Sequence, residues 1–319
     1  MPVDLATIRA AHRRIAPHVH RTPVMTCAAI DACAERAVGL KCENLQRVGA
    51  FKIRGATNAV LRLDDEQAAR GVVTHSSGNH AQALARAART RGIACYVVMP
   101  TNAPVVKRAA TEGYGATIHP CEPTLAAREE GARRVMEETG ATLIPPFDHP
   151  DVIAGQGTVA LELLDQIEDL DAVIAPVGGG GLLAGITLAL RQAAPHVRMF
   201  AAEPAGADDA WRSKQRGERV PMTDPRTIAD GLRTSLGDLT WPVLRDHVEA
   251  VLRVSEDEIV GSMRALFERA KLVVEPSGAV SLAAALGDEF RAETSLRRVA
   301  VVLSGGNVDP ARAYELLAR

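Results

Sequence analysis

The sequence lacks several patterns that define common classes of protein. Its five cysteines form no CxxC pair and leave an odd thiol, which fits neither a disulfide framework nor a zinc cluster. No apolar run approaches the roughly 20 residues that cross a bilayer. The N-terminus lacks the basic and then apolar layout of a signal peptide. We therefore expect a cytoplasmic protein that has no membrane partner.

An excess of charge of one sign is also lacking. The 37 basic and 39 acidic residues are mixed along the chain, without the basic runs that follow a phosphate backbone. Nucleic acid is therefore not an expected partner. Lysine itself is scarce, because 32 of the 37 basic residues are arginine. Arginine stays protonated and cannot form an imine, so few side chains remain that could bond to an aldehyde.

The chain alternates short β-rich runs with longer helical runs from Gly71 onward, which is typical of a parallel sheet with crossover helices. The predicted strands cover residues 72–75, 93–99, 116–119, 141–144, 172–177, 197–202 and 299–303. The predicted helices cover residues 79–90, 104–112, 125–139, 152–167 and 182–193. A break at residues 145–148 indicates a crossing between two lobes. The fold class is therefore α/β.

Lys52 is the best candidate for a covalent bond to an aldehyde. It lies in the segment AFKIRGA, residues 50–56. Among such apolar and small neighbours, burial would disfavour the charged form of the amine and leave it nucleophilic. The alternative interpretation is a helix lysine whose aliphatic stem covers apolar surface.

Four consecutive glycines, residues 178–181, lie between an apolar strand and a helix that begins near Leu182. A backbone without Cβ atoms can approach an anion closely, and a helix N-terminus offers free N–H groups and partial positive charge. The loop therefore predicts a phosphate site, although a tight turn is an alternative. It matches neither GxxxxGK[ST] nor GxGxxG, which disfavours nucleoside triphosphates and dinucleotides.

Polar side chains are crowded at three other strand ends. The segment THSSGNH, residues 74–80, could hold a carboxylate at a helix N-terminus, or could simply cap that helix through Ser76 or Ser77. The segment SGGN, residues 304–307, ends the last strand at the edge where open α/β sheets bind ligands. The segment EPAGADD, residues 203–209, could hold Mg²⁺, Mn²⁺ or Ca²⁺, or provide an acidic helix cap.

In this order, AFKIRGA, SSGNHAQA, GQGT, GGGG, AAEP…ADD and SGGN resemble the motifs of serine/threonine dehydratases and serine racemases, the fold-type II pyridoxal-phosphate enzymes. The resemblance covers nearly the whole chain. It implies two lobes, each with an open, mostly parallel twisted sheet flanked by helices. The small domain would be 51–145 and the large pyridoxal-phosphate-binding domain 1–50 and 146–319, with the active site in the cleft between them. A homodimer is also implied.

The resemblance further implies which residues bind the cofactor, pyridoxal 5'-phosphate. Lys52 would form the imine and Asn79 would meet the phenolic oxygen. Ser304 would face the pyridine nitrogen and Gly231 would line the ring. The residues that would hold the phosphate are Gly178, Gly179, Gly180, Gly181 and Leu182.

Substrate and metal residues are implied in the same way. Ser76, Ser77 and His80 would bind the substrate carboxylate, and Ser77 is the second acid or base in the racemases. The residues that match a racemase-like divalent metal site are Glu203, the carbonyl of Ala207, and Asp209. The chain ends at Arg319 without the regulatory domain of the isoleucine-pathway threonine deaminases, so feedback control by that route is not expected.

The reaction we expect first is elimination of water from a small β-hydroxy amino acid, which gives a 2-oxo acid and ammonia. The substrate amine would displace Lys52, and the freed lysine would act as the base at Cα. A serine at the ring nitrogen cannot hold a proton there as a carboxylate would, and this favours prompt elimination. Ala50 stands where a serine is common in the family, and residues 146–148 look more like the dehydratases than the animal racemases.

Other functions stay open on the sequence alone. A serine racemase with dehydratase side activity needs only an acid on the opposite face of the ring, which Ser77 could provide. A dehydratase of 3-hydroxyaspartate or phenylserine shares the reacting atoms. A transferase would add sulfur or another nucleophile instead of releasing the product. A non-catalytic amino-acid sensor would keep the glycine loop for binding alone.

Overall fold

The computed structural model describes residues 3–103 and 105–318, apart from the side chains of Val105 and Val106. Within this part of the chain ten strands are present. They are β1 (Val24–Met25), β2 (Ala37–Lys41), β3 (Val72–His75), β4 (Cys95–Pro100), β5 (Thr117–Cys121), β6 (Thr142–Leu143), β7 (Ala172–Pro176), β8 (Arg198–Pro204), β9 (Val251–Val254) and β10 (Arg298–Val302).

Fifteen α-helices accompany these strands in the same described residues. They are α1 (Leu5–Ile15), α2 (Ala28–Ala34), α3 (Lys52–Arg62), α4 (Asp65–Arg70), α5 (Asn79–Arg91), α6 (Val105–Gly113), α7 (Leu125–Thr139), α8 (Pro150–Gln166), α9 (Gly181–Ala193), α10 (Asp209–Arg216), α11 (Thr240–His247), α12 (Glu256–Ala265), α13 (Pro276–Leu286), α14 (Asp288–Arg291) and α15 (Pro310–Leu317). Short 3₁₀ turns cover Glu43–Leu45, Arg47–Gly49 and Asp230–Leu232.

The strands form two mostly parallel sheets, so the predicted α/β class is confirmed. The larger sheet has the order β1-β2-β10-β7-β8-β9, and β1 is its antiparallel member. The smaller sheet has the order β5-β4-β3-β6 with parallel neighbours. The smaller sheet lies within residues 51–145 and the larger one outside them, but the domain boundaries themselves stay a prediction.

Both sheets are buried on two faces, as the crossover helices of a parallel sheet require. Successive side chains of a strand point to opposite faces. In β7, Val173 and Ala175 therefore enter one apolar cluster, whereas Ala172 and Ile174 enter the cluster on the other side. Helices α8 and α9 contribute to the first cluster, and α13 to the second. The larger sheet is thus a central layer between two layers of helices.

The strands and helices predicted from periodicity are present, with ends that agree within two residues. Pro104, the first residue of one predicted helix, lies outside the described residues. Three strands were missed. The β1 strand has two residues, β2 contains Gly39 and ends in a buried lysine, and β9 has four residues with an exposed Arg253 at its third position. Such short or interrupted runs carry little alternation.

Helix α3 is fixed by a buried ionic cluster behind its first turn. Arg54 donates to both carboxylate oxygens of Glu43 and of Glu162, with N–O distances between 2.6 and 2.8 Å. The Lys41 amine donates to Glu162 at 2.6 Å. All four side chains are buried. Because two cations balance two carboxylates, the cluster ties α3 to β2 and α8 without a net charge.

None of the helices in the described ranges has the length and hydropathy that a bilayer-spanning segment needs. All five cysteines are free thiols, as their spacing predicted.

Candidate active site

Loops from the carboxyl ends of both sheets line one cleft of about 650 Å³. This volume is typical of sites for small ligands. The predicted cofactor and substrate residues lie together in its wall: Lys52, Ser76, Ser77, Asn79, His80, Gly178, Gly179, Gly180, Gly181, Leu182, Gly231 and Ser304. Glu203, Ala207 and Asp209, the predicted metal residues, lie outside this wall.

Lys52, the first residue of α3, extends its amine into the cleft. The amine donates a hydrogen bond of 2.7 Å to the carbonyl of Pro146. No carboxylate in the described part of the chain forms an ion pair with it. Burial without a counter-charge lowers the pKa of the Lys52 amine to about 8. A useful fraction of this amine is therefore neutral and nucleophilic near physiological pH.

The glycine loop is buried and ends at the N-terminus of α9. Gly180 has a φ of +87°, in the left-handed region that favours glycine. A Cβ at Gly179 would overlap the ring of Phe147, and a Cβ at Gly180 would lie 2.8 Å from Thr240. The loop is thus packed too tightly for side chains. The first N–H groups of α9 have no intrahelical acceptor, so they suit a phosphate.

The segment at residues 76–80 links β3 to α5 and presents polar groups to the cleft. Gly78 is the N-cap residue of α5, and no side chain caps this helix. Ser76 and Ser77 are half-buried, and the Ser76 hydroxyl accepts only a long bond, 3.4 Å, from Gly78 N–H. The capping interpretation therefore fails for both serines. Their hydroxyls remain available to a ligand.

His80 is buried, and its Nε2 lies 2.9 Å from the carbonyl of Ile144. Since a carbonyl only accepts, Nε2 carries the proton and Nδ1 is unprotonated. Burial, and then the nearby Lys52 charge, lowers the pKa of His80 to about 3. The imidazole is therefore neutral. It holds the end of the small sheet, and only its backbone N–H at the helix terminus could donate to a carboxylate.

Ser304 and Gly231 line the cleft from two segments outside the strands, the end of β10 and the 3₁₀ turn Asp230–Leu232. Ser304 is buried just beyond β10, and its carbonyl accepts from the N–H of Phe51, next to Lys52, at 3.1 Å. Gly231 N–H donates to the Ser277 hydroxyl at 3.0 Å. These contacts place a hydroxyl and a bare backbone segment in the wall that also carries the lysine.

Three residues that line or support the site were not among the predicted site residues. The ring of Phe147 packs on the glycine loop, and the Glu275 carboxylate accepts from the Asn79 amide at 2.7 Å. Asn307 donates to the same amide at 2.9 Å. Phe147 lies in the predicted break and Asn307 in the SGGN segment, but neither was assigned a role. Glu275 had an unused signal, because it is an acidic residue directly before the N-terminal proline of α13.

The predicted metal residues form a buried carboxylate pair behind the cleft. Glu203 accepts from the N–H groups of Ala210 and Trp211 at 3.0 and 2.9 Å, so it caps α10. Asp209 accepts from Leu236 N–H at 3.2 Å through Oδ2, while Oδ1 is buried without a partner among the described residues. Burial, and then the charge of Asp209, raises the pKa of Glu203 well above its ordinary value.

This arrangement fits a cation, because positive charge would satisfy the orphaned oxygen of Asp209 and offset the repulsion between two buried carboxylates. Burial also raises the pKa of Asp209 to about 6. The described residues contain no cluster of three or more histidine, cysteine, aspartate or glutamate side chains able to hold a metal. Backbone carbonyls or water would therefore have to complete the ligands, as hard cations accept.

Comparisons with known proteins agree with this geometry. Residues 15–305 match the family model described as "Pyridoxal-phosphate dependent enzyme". The chain is 48% identical to serine racemase of Dictyostelium discoideum over 99% of this chain and 98% of that protein. It is also 48% identical to β-hydroxyaspartate dehydratase of Paracoccus denitrificans, over 94% and 95%. The structure of maize serine racemase superposes with a TM-score of 0.97, 48% identity, and coverage of 100% and 98%.

These similarities confirm the resemblance to fold-type II pyridoxal-phosphate enzymes and the expectation of an enzyme, so the sensor interpretation loses support. They also correct the order of the expected activities. Serine racemase, the alternative on sequence grounds, fits the relatives better than a dehydratase as the main activity. Dehydratases remain among the relatives. The likeness of residues 146–148 to the dehydratases stays a prediction.

Proposed function

Because the chain belongs to the family of pyridoxal-phosphate dependent enzymes, we propose that it interconverts the two enantiomers of serine and also eliminates water from small β-hydroxy amino acids. The observation that carries this proposal is that the Lys52 amine and the Ser77 hydroxyl line the same cleft. Racemisation needs two groups that exchange protons with Cα, whereas elimination needs one base and a route for the departing hydroxyl. A cleft with both groups serves both reactions.

Pyridoxal phosphate, when bound, supplies a ring that accepts the negative charge developing at Cα. The residues proposed to hold it follow from the donors that they offer. Lys52 supplies the amine, and the glycine loop with Leu182 supplies N–H groups for the phosphate. Ser304 supplies a hydroxyl for the ring nitrogen. Asn79 supplies an amide for the phenolic oxygen, and Gly231 leaves room beside the ring.

Lys52 is proposed as the group that takes or returns the proton at one face of Cα. A base near its own pKa at working pH transfers protons most effectively, and the pKa of about 8 meets this condition. The Pro146 carbonyl restrains the amine when it is not covalently bound. Ser77 is proposed as the partner for the other face. Ser76 and the backbone N–H of His80 then hold the substrate carboxylate.

The decisive experiment compares products from L-serine. Purified protein with pyridoxal phosphate is expected to form D-serine, measured by chiral chromatography, together with pyruvate. S77A is expected to lose D-serine formation by roughly 10²- to 10⁴-fold, the usual contribution of a general acid or base, and to lose less pyruvate formation. S76A, the matched control, should slow both reactions alike. Pyruvate without D-serine from the wild type would reject racemisation, and unchanged racemisation by S77A would reject the role of Ser77.

Elimination of water from 3-hydroxyaspartate is a second candidate, and one side chain favours it. Arg128 lines the cleft, forms no ion pair with the described residues, and has a buried Nε without a partner. A second substrate carboxylate would give the Arg128 guanidinium a hydrogen-bond partner.

R128M should lower kcat/KM for 3-hydroxyaspartate by roughly 10- to 100-fold, since a charged hydrogen bond contributes about 1.5–3 kcal/mol. It should leave kcat/KM for serine unchanged. R134M, exposed on the same helix, is the control. Equal losses for both substrates would reject this role.

A divalent cation at Glu203 and Asp209, with the Ala207 carbonyl, is proposed as a structural ligand outside the cleft. Adding Mg²⁺, Mn²⁺ or Ca²⁺ to chelator-treated protein should raise Tm, because binding to the native state alone stabilises it. D209N should abolish the increase. D208N should retain it, because Asp208 pairs instead with Arg212 at 2.8 Å. A Tm that none of the three cations changes would reject the metal site and leave Glu203 as a helix cap alone.

The homodimer implied by the resemblance is also part of the proposal. Sedimentation equilibrium of the protein with its cofactor is expected to give twice the chain mass of 33.9 kDa. A single chain mass at micromolar concentration would contradict it.

A further inference from the structure

The Asn79 amide is held on both sides by other polar side chains. Asn307 uses its amide nitrogen twice, donating to the carbonyl of Val48 at 2.7 Å and to Asn79 Oδ1 at 2.9 Å. The Asn79 nitrogen in turn donates to Glu275 Oε1 at 2.7 Å. The chain of hydrogen bonds therefore runs from Val48 through Asn307 and Asn79 to Glu275.

This chain has one direction only. The Val48 carbonyl can only accept, so the nitrogen of Asn307 must face it, and the second hydrogen of that nitrogen reaches Asn79 Oδ1. The Asn79 nitrogen then faces Glu275. A flipped Asn79 would place two donors together at Asn307 and two acceptors together at Glu275. Asn79 thus keeps one N–H for Glu275 and a second N–H for a ligand in the cleft.

Glu275 is buried and lines the cleft. In the described part of the chain no cation forms an ion pair with it. A Cβ at Gly305 would overlap its Oε1, so the glycine in the SGGN segment leaves room for this carboxylate. Burial, and then the charge of Asp230, raises the pKa of Glu275 to about 7, while Asn79 and Lys107 act in the opposite direction. Lys107 and Asp230 pair with each other at 2.6 Å.

We propose that Glu275 is a positioning residue that holds Asn79 as a hydrogen-bond donor to the phenolic oxygen of the cofactor and places a negative charge beside that end of the ring. This inference rests on the cofactor placement proposed above. A nearby negative charge favours a protonated nitrogen. Ionised Glu275 therefore keeps the nitrogen that joins Lys52 to the cofactor protonated up to a higher pH.

The charged groups that face Glu275 come from two other elements. Asp230, on the 3₁₀ turn, adds negative charge, and Lys107, on α6, opposes it. Asn79, on α5, and Asn307, beyond β10, are neutral. Lys107 and Asp230 line the same cleft and pair with each other, so their charges nearly cancel. The uncompensated charge on this wall is thus that of Glu275. Charge at position 275 and the shape of the side chain there should have separable effects.

The test uses the protein with pyridoxal phosphate and measures two quantities other than activity. One is the Kd of the cofactor, and the other is the pH midpoint of the absorbance band of the Lys52-bound cofactor. E275Q retains an acceptor for Asn79 but lacks the charge, so the midpoint should fall by about one pH unit with little change in Kd. E275L lacks both, so Kd should rise by about tenfold and the midpoint should also fall. D230N, the comparison variant, removes a carboxylate that lines the same cleft without touching Asn79, so it should raise Kd less than E275L does.

A wild-type midpoint and Kd in E275Q and E275L would overturn the inference while leaving the cofactor site intact. Should E275L fail to fold, E275Q alone decides, because a side chain that only fills space would be replaced by glutamine without a spectral shift. A wild-type protein that takes up no pyridoxal phosphate would instead overturn the proposed function, and the role of Glu275 with it.

Discussion

Two basic residues on helix α3, Lys52 and Arg54, lie two positions apart and have opposite environments. Arg54 contacts two carboxylates in the ionic cluster behind the helix, and these carboxylates raise its pKa further. Lys52 meets a single carbonyl in the cleft, and burial lowers its pKa to about 8. Buried charge is therefore compensated where it supports the fold and left uncompensated where covalent chemistry is needed.

Two buried carboxylates, Glu43 in the ionic cluster and Glu275 in the cleft, differ in the same way. Glu43 lies between Arg54 and Thr22, and the neighbouring cations hold its pKa below the ordinary value despite burial. Glu275 lies in the cleft with an amide as its partner, and its pKa is raised. Among the carboxylates, pairing thus distinguishes the two regions more sharply than burial does, since Glu43 and Glu275 are both buried.

The largest effect is expected at Lys52. K52A should lower serine turnover by roughly 10³-fold or more, because it removes both the covalent attachment and a general base. Tm without cofactor should stay within a few degrees of the wild type or rise, because no ion pair is lost. Initial rates with L-serine and a thermal melt of the cofactor-free protein measure the two quantities. Retained turnover would contradict the role of Lys52 as covalent attachment and general base.

The next effect is expected at Arg54. R54M should reduce the free energy of unfolding by about 3–5 kcal/mol, because it leaves Glu43 and Glu162 with one cation between them. R21M, which breaks the exposed pair of Arg21 with Asp165, should cost less than about 1 kcal/mol. Urea unfolding of both variants gives the comparison. Equal losses would mean that the cluster is no more important than a surface pair.

The pH dependence of cofactor uptake tests whether the pKa of Lys52 is lowered as its uncompensated burial implies. Only the neutral amine attacks the aldehyde, so capture by cofactor-free protein should rise with pH and reach its midpoint near pH 8. At that pH about half of the amine is neutral, against less than about 1% for an ordinary lysine. Stopped-flow absorbance from pH 6 to pH 10 measures it. A rate that still rises at pH 10 without a midpoint would mean that the pKa of Lys52 is that of an ordinary lysine.

The smallest effect is expected at the glycine loop. G179A should weaken cofactor binding by about tenfold, because its Cβ overlaps Phe147 and must displace the loop from the phosphate. G261A, in helix α12 with no atom within 4 Å of its Cβ, should stabilise the protein by about 0.5–1 kcal/mol and leave Kd unchanged. Fluorescence titration with pyridoxal phosphate distinguishes them. Identical Kd values for G179A and G261A would show that cofactor binding tolerates a displacement of the glycine loop.

The sequence predicted the parts of the site that carry local signals. Lys52 stood out among few lysines, and the four glycines lie between a regular strand and a regular helix. Both segments line the cleft. The α/β class followed from strongly periodic runs, and the two sheets followed from the family resemblance. The strands β1, β2 and β9 were missed because they are short or interrupted.

Residues that act through distant contacts were not predictable in this way. Glu275 reaches Asn79 across 196 positions, and Phe147 contacts the glycine loop from the segment between β6 and α8. The pairing of Arg54 with Glu162 spans 108 positions. Which charges are compensated is a property of the folded chain. The sequence alone therefore nominated Lys52 and predicted that burial disfavours its charged form, but it could not show that no carboxylate pairs with the amine among the described residues.

The account depends on Lys52 forming the bond to pyridoxal phosphate, and reductive trapping tests this directly. The protein is incubated with pyridoxal phosphate, reduced with borohydride, digested and analysed by tandem mass spectrometry. We predict that the pyridoxyl phosphate mass lies on Lys52 and is absent from Lys41, Lys107, Lys214 and Lys271. A modification at another lysine, or at none, would contradict the account.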